Sequence, residues 1–375
     1  LDRIYIVGAG PAGLTTSFFL SRKNIPTSIT LFDHRRDPGI PPHCTSIVGE
    51  ETARFYSEIL GRKVIEKEYY AIVFHTPLCE YVVYSKKPLA YRIARPYLEQ
   101  RLYDQVMRMG VDVWMGEYVK PTEEIGVVVV NGRMYRGVIV AADGAYSVFR
   151  RKYCGWTPRV MTGVQKILKV NEKLDDTVFH VFFDPDTPCF YQWIVPVDGD
   201  NTVLVGYGDC RITLDPNRMI DRILGKIGLK PVAGSELFGG PIIRDLPREP
   251  YVLGDKLFFI GDSLPASKPV TGGGLYGVAF LAPVLAESIA TGMISKYIEA
   301  VDELKKRFRT TWFLTRLFKK KYWVLADMFS ALRGELETSL FDMHEKIVWK
   351  AMPRLPLVMY LLVRSLLIRT RRSHV

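Results

Sequence analysis

Two short stretches carry side chains able to handle protons and apolar substrates. In PPHCTS, residues 41–46, the thiol of Cys44 follows the imidazole of His43. A thiol beside an imidazole can pass a proton when the ring lowers its pKa, whereas a free cysteine often serves as a small buried hydrophobe. Both readings of Cys44 stand open, and the plain reading of His43 is a loop imidazole without a role. In PCFYQWIVP, Pro188–Pro196, strand alternation puts Cys189, Tyr191, Trp193 and Val195 on one face and Phe190, Gln192 and Ile194 on the other. The first face carries a phenol and an indole N–H on wide apolar rings. Such a face either fills a sheet core or walls an apolar cavity.

The elements that must position these groups start near the N-terminus. A short apolar strand, Ile4 to Val7, runs into Gly8-Ala9-Gly10-Pro11-Ala12-Gly13 and then a helical pattern. Gly8 allows a tight turn, Gly10 lets the backbone approach a pyrophosphate, and Gly13 lets helix and strand pack closely. The helix N-terminus turns free N–H groups and a positive dipole end towards the phosphates. A second strand ends at Asp33, twenty residues after Gly13, where a carboxylate can accept the ribose hydroxyls. Strand, glycines, helix, strand and acid in this order predict a dinucleotide site built on Gly8, Gly10, Ala12, Gly13 and Asp33. Arg35 and Arg36 read as solvated surface arginines rather than a 2′-phosphate site. Further on, residues 137–151 give a strand followed by Asp143-Gly144, with Asp143 ordering a turn. Residues 256–289 give another strand, Gly261-Asp262, a Pro-containing loop, three glycines and a long apolar helix. No second strand runs directly into a GxGxxG turn, so a nicotinamide donor has no recognisable domain of its own.

Together these segments resemble the FAD-dependent fold of the glutathione-reductase type, in its hydroxylase and isoprenoid-reductase branch. The resemblance implies that Asp262 holds the ribityl chain of FAD and that Gly273, Gly274 and Leu275 present a helix N-terminus to the flavin N1–C2=O edge. A reduced flavin is negative near N1, and a helix N-terminus stabilises an anion. It also implies that Arg95, just ahead of an amphipathic helix, approaches the cofactor, with Cys44, Thr45 and Val119 as further contacts. PCFYQWIVP resembles the Pro-x-x-Tyr-x-Trp-x-Phe-Pro motif of the geranylgeranyl reductases. Pro188, Tyr191, Trp193 and Pro196 match in spacing, with Val195 in the Phe position. Those enzymes have a cysteine soon after the ribose acid, in a Cys-Gly setting; here Cys44 precedes Thr45. Gly272 and Gly274 match their Gly-x-Gly pair. The resemblance covers residues 1–290. It implies hydrogenation of C=C bonds in a prenyl chain of archaeal-type membrane lipids, by hydride from reduced flavin N5 plus a proton. Cys44, Tyr191 and Trp193 are the implied catalytic residues, and Tyr191, Trp193 and Val195 the implied contacts to the chain. Cys44, Tyr191, a water or the flavin itself would give the proton, unless Cys44 only holds the isoalloxazine. Electrons would come from NAD(P)H or a ferredoxin-like protein. Two alternatives are a flavin-dependent monooxygenase of the same fold and a non-catalytic prenyl-lipid-binding protein.

The expected fold class is α/β. A Rossmann-type FAD-binding domain is assembled from residues 1–60, 95–155 and 250–292. An antiparallel-sheet substrate domain takes 61–94 and 156–249, and a helical basic region takes 293–375. At 375 residues, 48% hydrophobic and 24% charged, the chain is long and apolar enough for a substantial core. Its opening residues enter a strand directly, so a signal peptide is not expected. The five cysteines, Cys44, Cys79, Cys154, Cys189 and Cys210, form no CxxC pair. They predict no metal site and reduced thiols in a cytoplasmic protein. Five Asn and four Gln in the whole chain suggest a thermophile. From Lys305 onward, sixteen Lys and Arg face five Asp and Glu, which equals the net +11 of the chain, so residues 1–304 sum to zero. Residues 305–321 hold eight basic residues interleaved with Trp312, Phe313 and Phe318, and 355–375 are apolar with Arg364, Arg369, Arg371 and Arg372. The apolar run is too short and interrupted to span a bilayer. Cationic and apolar together, these segments predict peripheral contact with the anionic inner face of the cell membrane. Nucleic acid is not expected, since no recognition motif is present.

Overall fold

The computed structural model describes residues 3–23, 25–212 and 214–367. Its helices are α1 (Pro11–Ser21), α2 (Glu50–Leu60), α3 (Arg95–Arg108), α4 (Val148–Cys154), α5 (Pro216–Gly225), α6 (Leu275–Thr291), α7 (Ile294–Leu317), α8 (Trp323–Phe329), α9 (His344–Ala351) and α10 (Leu355–Leu366).

The chain is α/β, with a Rossmann-like sheet. Five short strands run parallel in the order Leu257–Phe259, Val138–Ala141, Ile4–Val7, Ile29–Asp33, Asp112–Met115, and Val252–Leu253 adds an antiparallel edge. All four residues of Ile4–Val7 are buried, as expected of a strand covered on both faces. α1 begins at Pro11, where a missing N–H costs nothing. It packs against α3 and α6 on one side of this sheet. The strand order reverses beside Ile4–Val7, which opens a crevice at the carboxyl ends of the strands.

A nine-stranded sheet forms the second layer. Residues 160–209 supply antiparallel strands, with the expected turn between Gln192–Asp198 and Thr202–Asp209 and Asn201 at φ 52°. Two joins are parallel: Val178–Phe182 on Ala71–His75, and Gly334–Glu335 on Glu80–Tyr84. Side chains alternate between two cores. Phe179, Val181, Trp193 and Val195 face the cavity side, where Tyr322–Ala326 pack on them. Phe182, Ile194, Val203 and Val205 face α5 through Met219, Ile220, Ile223 and Leu224. The C-terminal region is helical as expected, but it also puts an edge strand on this sheet and packs α7 against α6. Among the described residues, no helix is long and apolar enough to cross a membrane.

Three sequence expectations need correction. Phe190 does not share a face with Gln192 and Ile194. Residues 188–191 form a bend before the strand starts at Gln192, so Phe190 stacks on Tyr191 with centroids 4.0 Å apart. The thiols are not all free: Cys189 and Cys210 form a disulfide. Cys189 precedes one strand and Cys210 follows its antiparallel neighbour. Pairing Gln192 with Tyr207 brings their Cα atoms to 5.8 Å across 21 residues of chain. Arg35 is no solvated surface residue; it is largely buried between Asp33 and Glu99.

Candidate active site

The crevice and the cavity side of the large sheet join in one cavity of about 800 Å³. Gly8, Gly10, Ala12, Asp33, Cys44, Thr45, Arg95, Val119, Asp262, Gly273, Gly274 and Leu275 all line it, and so do Tyr191, Trp193 and Val195. Gly13 lies behind it. A Cβ there would overlap the Gly8 carbonyl, and Gly8 itself has φ 111° with no room against Ala142. These two glycines shape the turn. Gly10 differs: a Cβ there meets no protein atom closer than Arg35 Nη2 at 3.9 Å. The gap opens at the N-terminus of α1 and fits a pyrophosphate.

Asp33 anchors the far end. Its carboxylate accepts the Ala9 N–H at 2.6 Å and the Arg35 N–H at 2.7 Å, and pairs with the Arg35 guanidinium at 3.1 Å. Burial alone would raise its pKa; the bonds and charge of Arg35 outweigh that and hold it below the usual range. Val119, Tyr118 and Glu117 lie beside it on the cavity wall.

At the other end α6 points its first turn into the cavity. A side chain on Gly274 would crowd Ser267 Oγ at 3.1 Å and Asp262 Oδ1 at 3.4 Å. Ser267 donates to Asp262 at 2.7 Å. Burial pushes the Asp262 carboxyl up, against Ser267, Arg95 and Arg150. Arg95 opens α3 and pairs with Glu99 four residues on, Nη2 to Oε1 2.6 Å. Burial opposes its charge, but Glu99 and Cys44 nearby hold its pKa above the ordinary value. A buried guanidinium at this place is part of the cavity, not a surface group. Asp143 accepts the Val148 N–H at 2.8 Å, the turn role expected of it.

Cys44 is a free, exposed thiol whose sulfur accepts the Ser46 N–H at 3.3 Å. Thr45 donates to Gln165 at 3.0 Å, which ties this loop to the large sheet. Desolvation and Arg95 push His43 below its usual pKa, so at neutral pH it adds no positive charge beside Cys44.

The aromatic segment closes the cavity from above. Tyr191 stacks on Phe190 and meets Trp193 edge-on at 5.9 Å. Its hydroxyl reaches the Thr271 carbonyl at 3.4 Å, and burial pushes its pKa far above that of an ordinary phenol. Trp193 lies across Gly206, where any Cβ would strike the indole at 2.6 Å. Its Nε1 is buried with no partner among the described residues.

Several groups were invisible in the sequence. Arg244 donates to the Cys189 and Pro269 carbonyls at 2.5 and 2.8 Å and lies over the ring of Tyr322 at 4.2 Å, pinning the aromatic segment. The C-terminal region, read as a membrane element, supplies much of the apolar wall through Tyr322, Phe329, Leu340 and Phe341. Of residues 305–321, Phe308, Thr311, Thr315 and Phe318 are buried, and Trp312 donates to Asp245 at 3.2 Å. Lys268 sits buried beneath the first turn of α6; its one sequence signal is a lone cation in a loop of small and apolar residues.

Residues 6–55 match the family model of the NAD(P)-binding Rossmann-like domain. The chain is similar to digeranylgeranylglycerophospholipid reductase 1 of Methanopyrus kandleri, 25% identical over 82% of this chain and 85% of that one. In structure it is similar to a geranylgeranyl bacteriochlorophyll reductase-like protein of Thermoplasma acidophilum, with a TM-score of 0.77, 17% identity, and coverage of 97% and 99%. An HpxO variant of Klebsiella pneumoniae, solved with FAD, matches at TM-score 0.62 and 14% identity, covering 97% and 99%. Across 82% of its length the chain is a sequence relative of the geranylgeranyl reductases, and it has their fold.

Proposed function

We propose that the chain is an FAD-dependent reductase that hydrogenates C=C bonds in the prenyl chains of archaeal-type membrane lipids or their precursors. The observation that carries this is the joining of a dinucleotide cradle and an aromatic-walled apolar chamber in one cavity. The phosphate gap at Gly10, Asp33 and the open first turn of α6 fit FAD, and Arg95, Thr45, Val119 and Asp262 lie along the same path. When bound and reduced, FAD supplies a hydride from N5. The protein's tasks are then to hold the alkene, keep water out and bring a proton to the other carbon.

Tyr191, Trp193 and Val195 hold the chain. Each C5 unit buried against them is worth on the order of 3–4 kcal/mol at about 0.8 kcal/mol per CH₂, so grip needs few polar contacts. Cys44 gives the proton. Burial makes the Tyr191 phenol too weak an acid, while the Cys44 thiol is accessible and borders the same cavity. Residues 1–60, 95–155 and 250–292 serve the cofactor, and 61–94 and 156–249 serve the substrate. The donor of electrons is NAD(P)H or a ferredoxin-like protein, visiting transiently.

The test is anaerobic reoxidation of the reduced, FAD-loaded protein by a geranylgeranyl lipid. The expected result is saturated product without oxygen. Product only in air would establish the monooxygenase reading instead, and a protein that never takes up FAD the binding-protein reading. Trp193→Ala should weaken lipid binding by about 1–3 kcal/mol with FAD retained. Unchanged lipid affinity would remove Trp193 from the site.

Membrane contact belongs to the same proposal. Trp349, Leu357, Tyr360, Val363 and Leu367 are exposed on α9, α10 and just beyond. Lys350, Arg354 and Arg364 lie among them, a composition suited to an anionic interface. Phe313 and Leu317 of α7 are exposed too. Arg369, Arg371 and Arg372 lie outside the described residues. The protein should co-sediment with anionic vesicles, and less with neutral ones or after Val363→Asp. Equal recovery with and without vesicles would dismiss the contact.

A further inference from the structure

We propose that Lys268 sets the reduction potential of the bound flavin, with Asp342 from the C-terminal segment as its counter-charge. This rests on the FAD reading above and adds to it a residue that the motif resemblance does not assign.

Lys268 ends the loop after Asp262 and folds back on the glycine run. Its N–H donates to the Gly273 carbonyl at 3.1 Å, and its carbonyl accepts the Gly272 N–H at 2.7 Å. The side chain passes directly under the first turn of α6. A Cβ on Gly273 would lie 3.1 Å from Lys268 Cε and 3.9 Å from Nζ. Any larger residue there would press on the lysine side chain, which would have to give by a few tenths of an ångström. The residue is 4% exposed and lines the cavity. Its Nζ donates to Asp342 Oδ1 and the Phe341 carbonyl, both at 3.2 Å, and lies over the rings of Phe341 and Tyr276.

A cation buried at this place acts on whatever lies at the N-terminus of α6. The helix dipole already favours negative charge there. Reduced FAD carries more negative charge than oxidised FAD, and in a site sheltered from water the Lys268 ammonium acts on that difference with little screening. Asp342 opposes it. Burial would raise the pKa of this carboxyl, but Lys268 and the bonds from Thr52 hold it below the usual range, so it stays charged. Asp342 also accepts the Gly49 and Thr52 N–H groups at the start of α2. The pair is thus fixed from three sides, and its two charges push the potential in opposite directions.

The experiment is a dye-coupled redox titration of FAD-loaded parent, Lys268→Met, Lys268→Arg and Asp342→Asn proteins. In Lys268→Met the preference for reduced over oxidised FAD should fall about tenfold, which is about 30 mV for a two-electron couple. Lys268→Arg should stay near the parent. Asp342→Asn should shift the other way, although it breaks the same ion pair. Loosening of the structure would move Lys268→Met and Asp342→Asn in the same direction, and that result, or no shift in either, overturns the proposal. A parent protein that takes up no FAD overturns the cofactor reading itself, and this proposal with it.

Discussion

Gly10→Val is expected to yield a folded protein without flavin. Gly10 has φ −78° and ψ −177°, extended backbone that valine adopts readily. The new Cβ meets no protein atom closer than 3.9 Å. The fold therefore has no reason to fail. The branched side chain instead enters the gap at the N-terminus of α1, where the pyrophosphate must approach N–H groups closely. Loss of that approach should cost at least a hundredfold in FAD affinity, about 2.7 kcal/mol or more. The measurement pairs visible flavin absorbance per protein with a thermal melt of the apoprotein. Gly13→Val is the contrast: its Cβ would overlap the Gly8 carbonyl, so it should lower the melting temperature as well. A Gly10→Val protein with a full flavin complement and an unchanged melt would show that the phosphates lie elsewhere.

What was legible in the sequence is what depends on neighbours along the chain. The turn at Gly8–Gly13, the acid at Asp33 and the glycines before α6 each work within one strand–loop–helix unit, and they line the cavity or its turn as read. The aromatic segment was half legible. Tyr191, Trp193 and Val195 do face the cavity, but Phe190 joins them because the strand starts only at Gln192. Long-range partners were out of reach. Arg35 is buried by Glu99, 64 residues away. The Cys189–Cys210 disulfide follows from a strand register that five scattered cysteines do not disclose. Asp342 finds Thr52 across 290 residues, and this contact, with the Lys268 pair, makes the basic C-terminal region part of the cavity wall.

Cys44→Ser should slow the alkene step by roughly a hundredfold or more and leave flavin reduction by an artificial donor untouched. The thiol is a far stronger acid than an alcohol, and only the alkene step needs a proton delivered to carbon. The surroundings sharpen the expectation. His43 is held neutral and Tyr191 is held protonated, so neither readily takes over the thiol's role. A packing role would require only volume. Serine would then cost little, and Cys44→Ala would perturb the flavin spectrum without a specific block. The assay is single-turnover oxidation of dithionite-reduced protein by a prenyl lipid, without oxygen. If the serine variant reoxidises as fast as the parent, Cys44 is not the proton donor, and the role passes to Tyr191, an ordered water or the flavin itself.

The division of the cavity wall between early and late parts of the chain sets an order on biosynthesis. The segments proposed to cradle the cofactor end by residue 292, whereas the chamber wall continues through Leu340, Phe341 and Ile347. A ribosome therefore releases a complete flavin cradle dozens of residues before it releases the last wall of the lipid chamber. On the proposed cofactor reading, the nascent protein would meet its cofactor while the apolar chamber still stands open to water, and that wall is completed only when the segment around Asp342 packs onto α2.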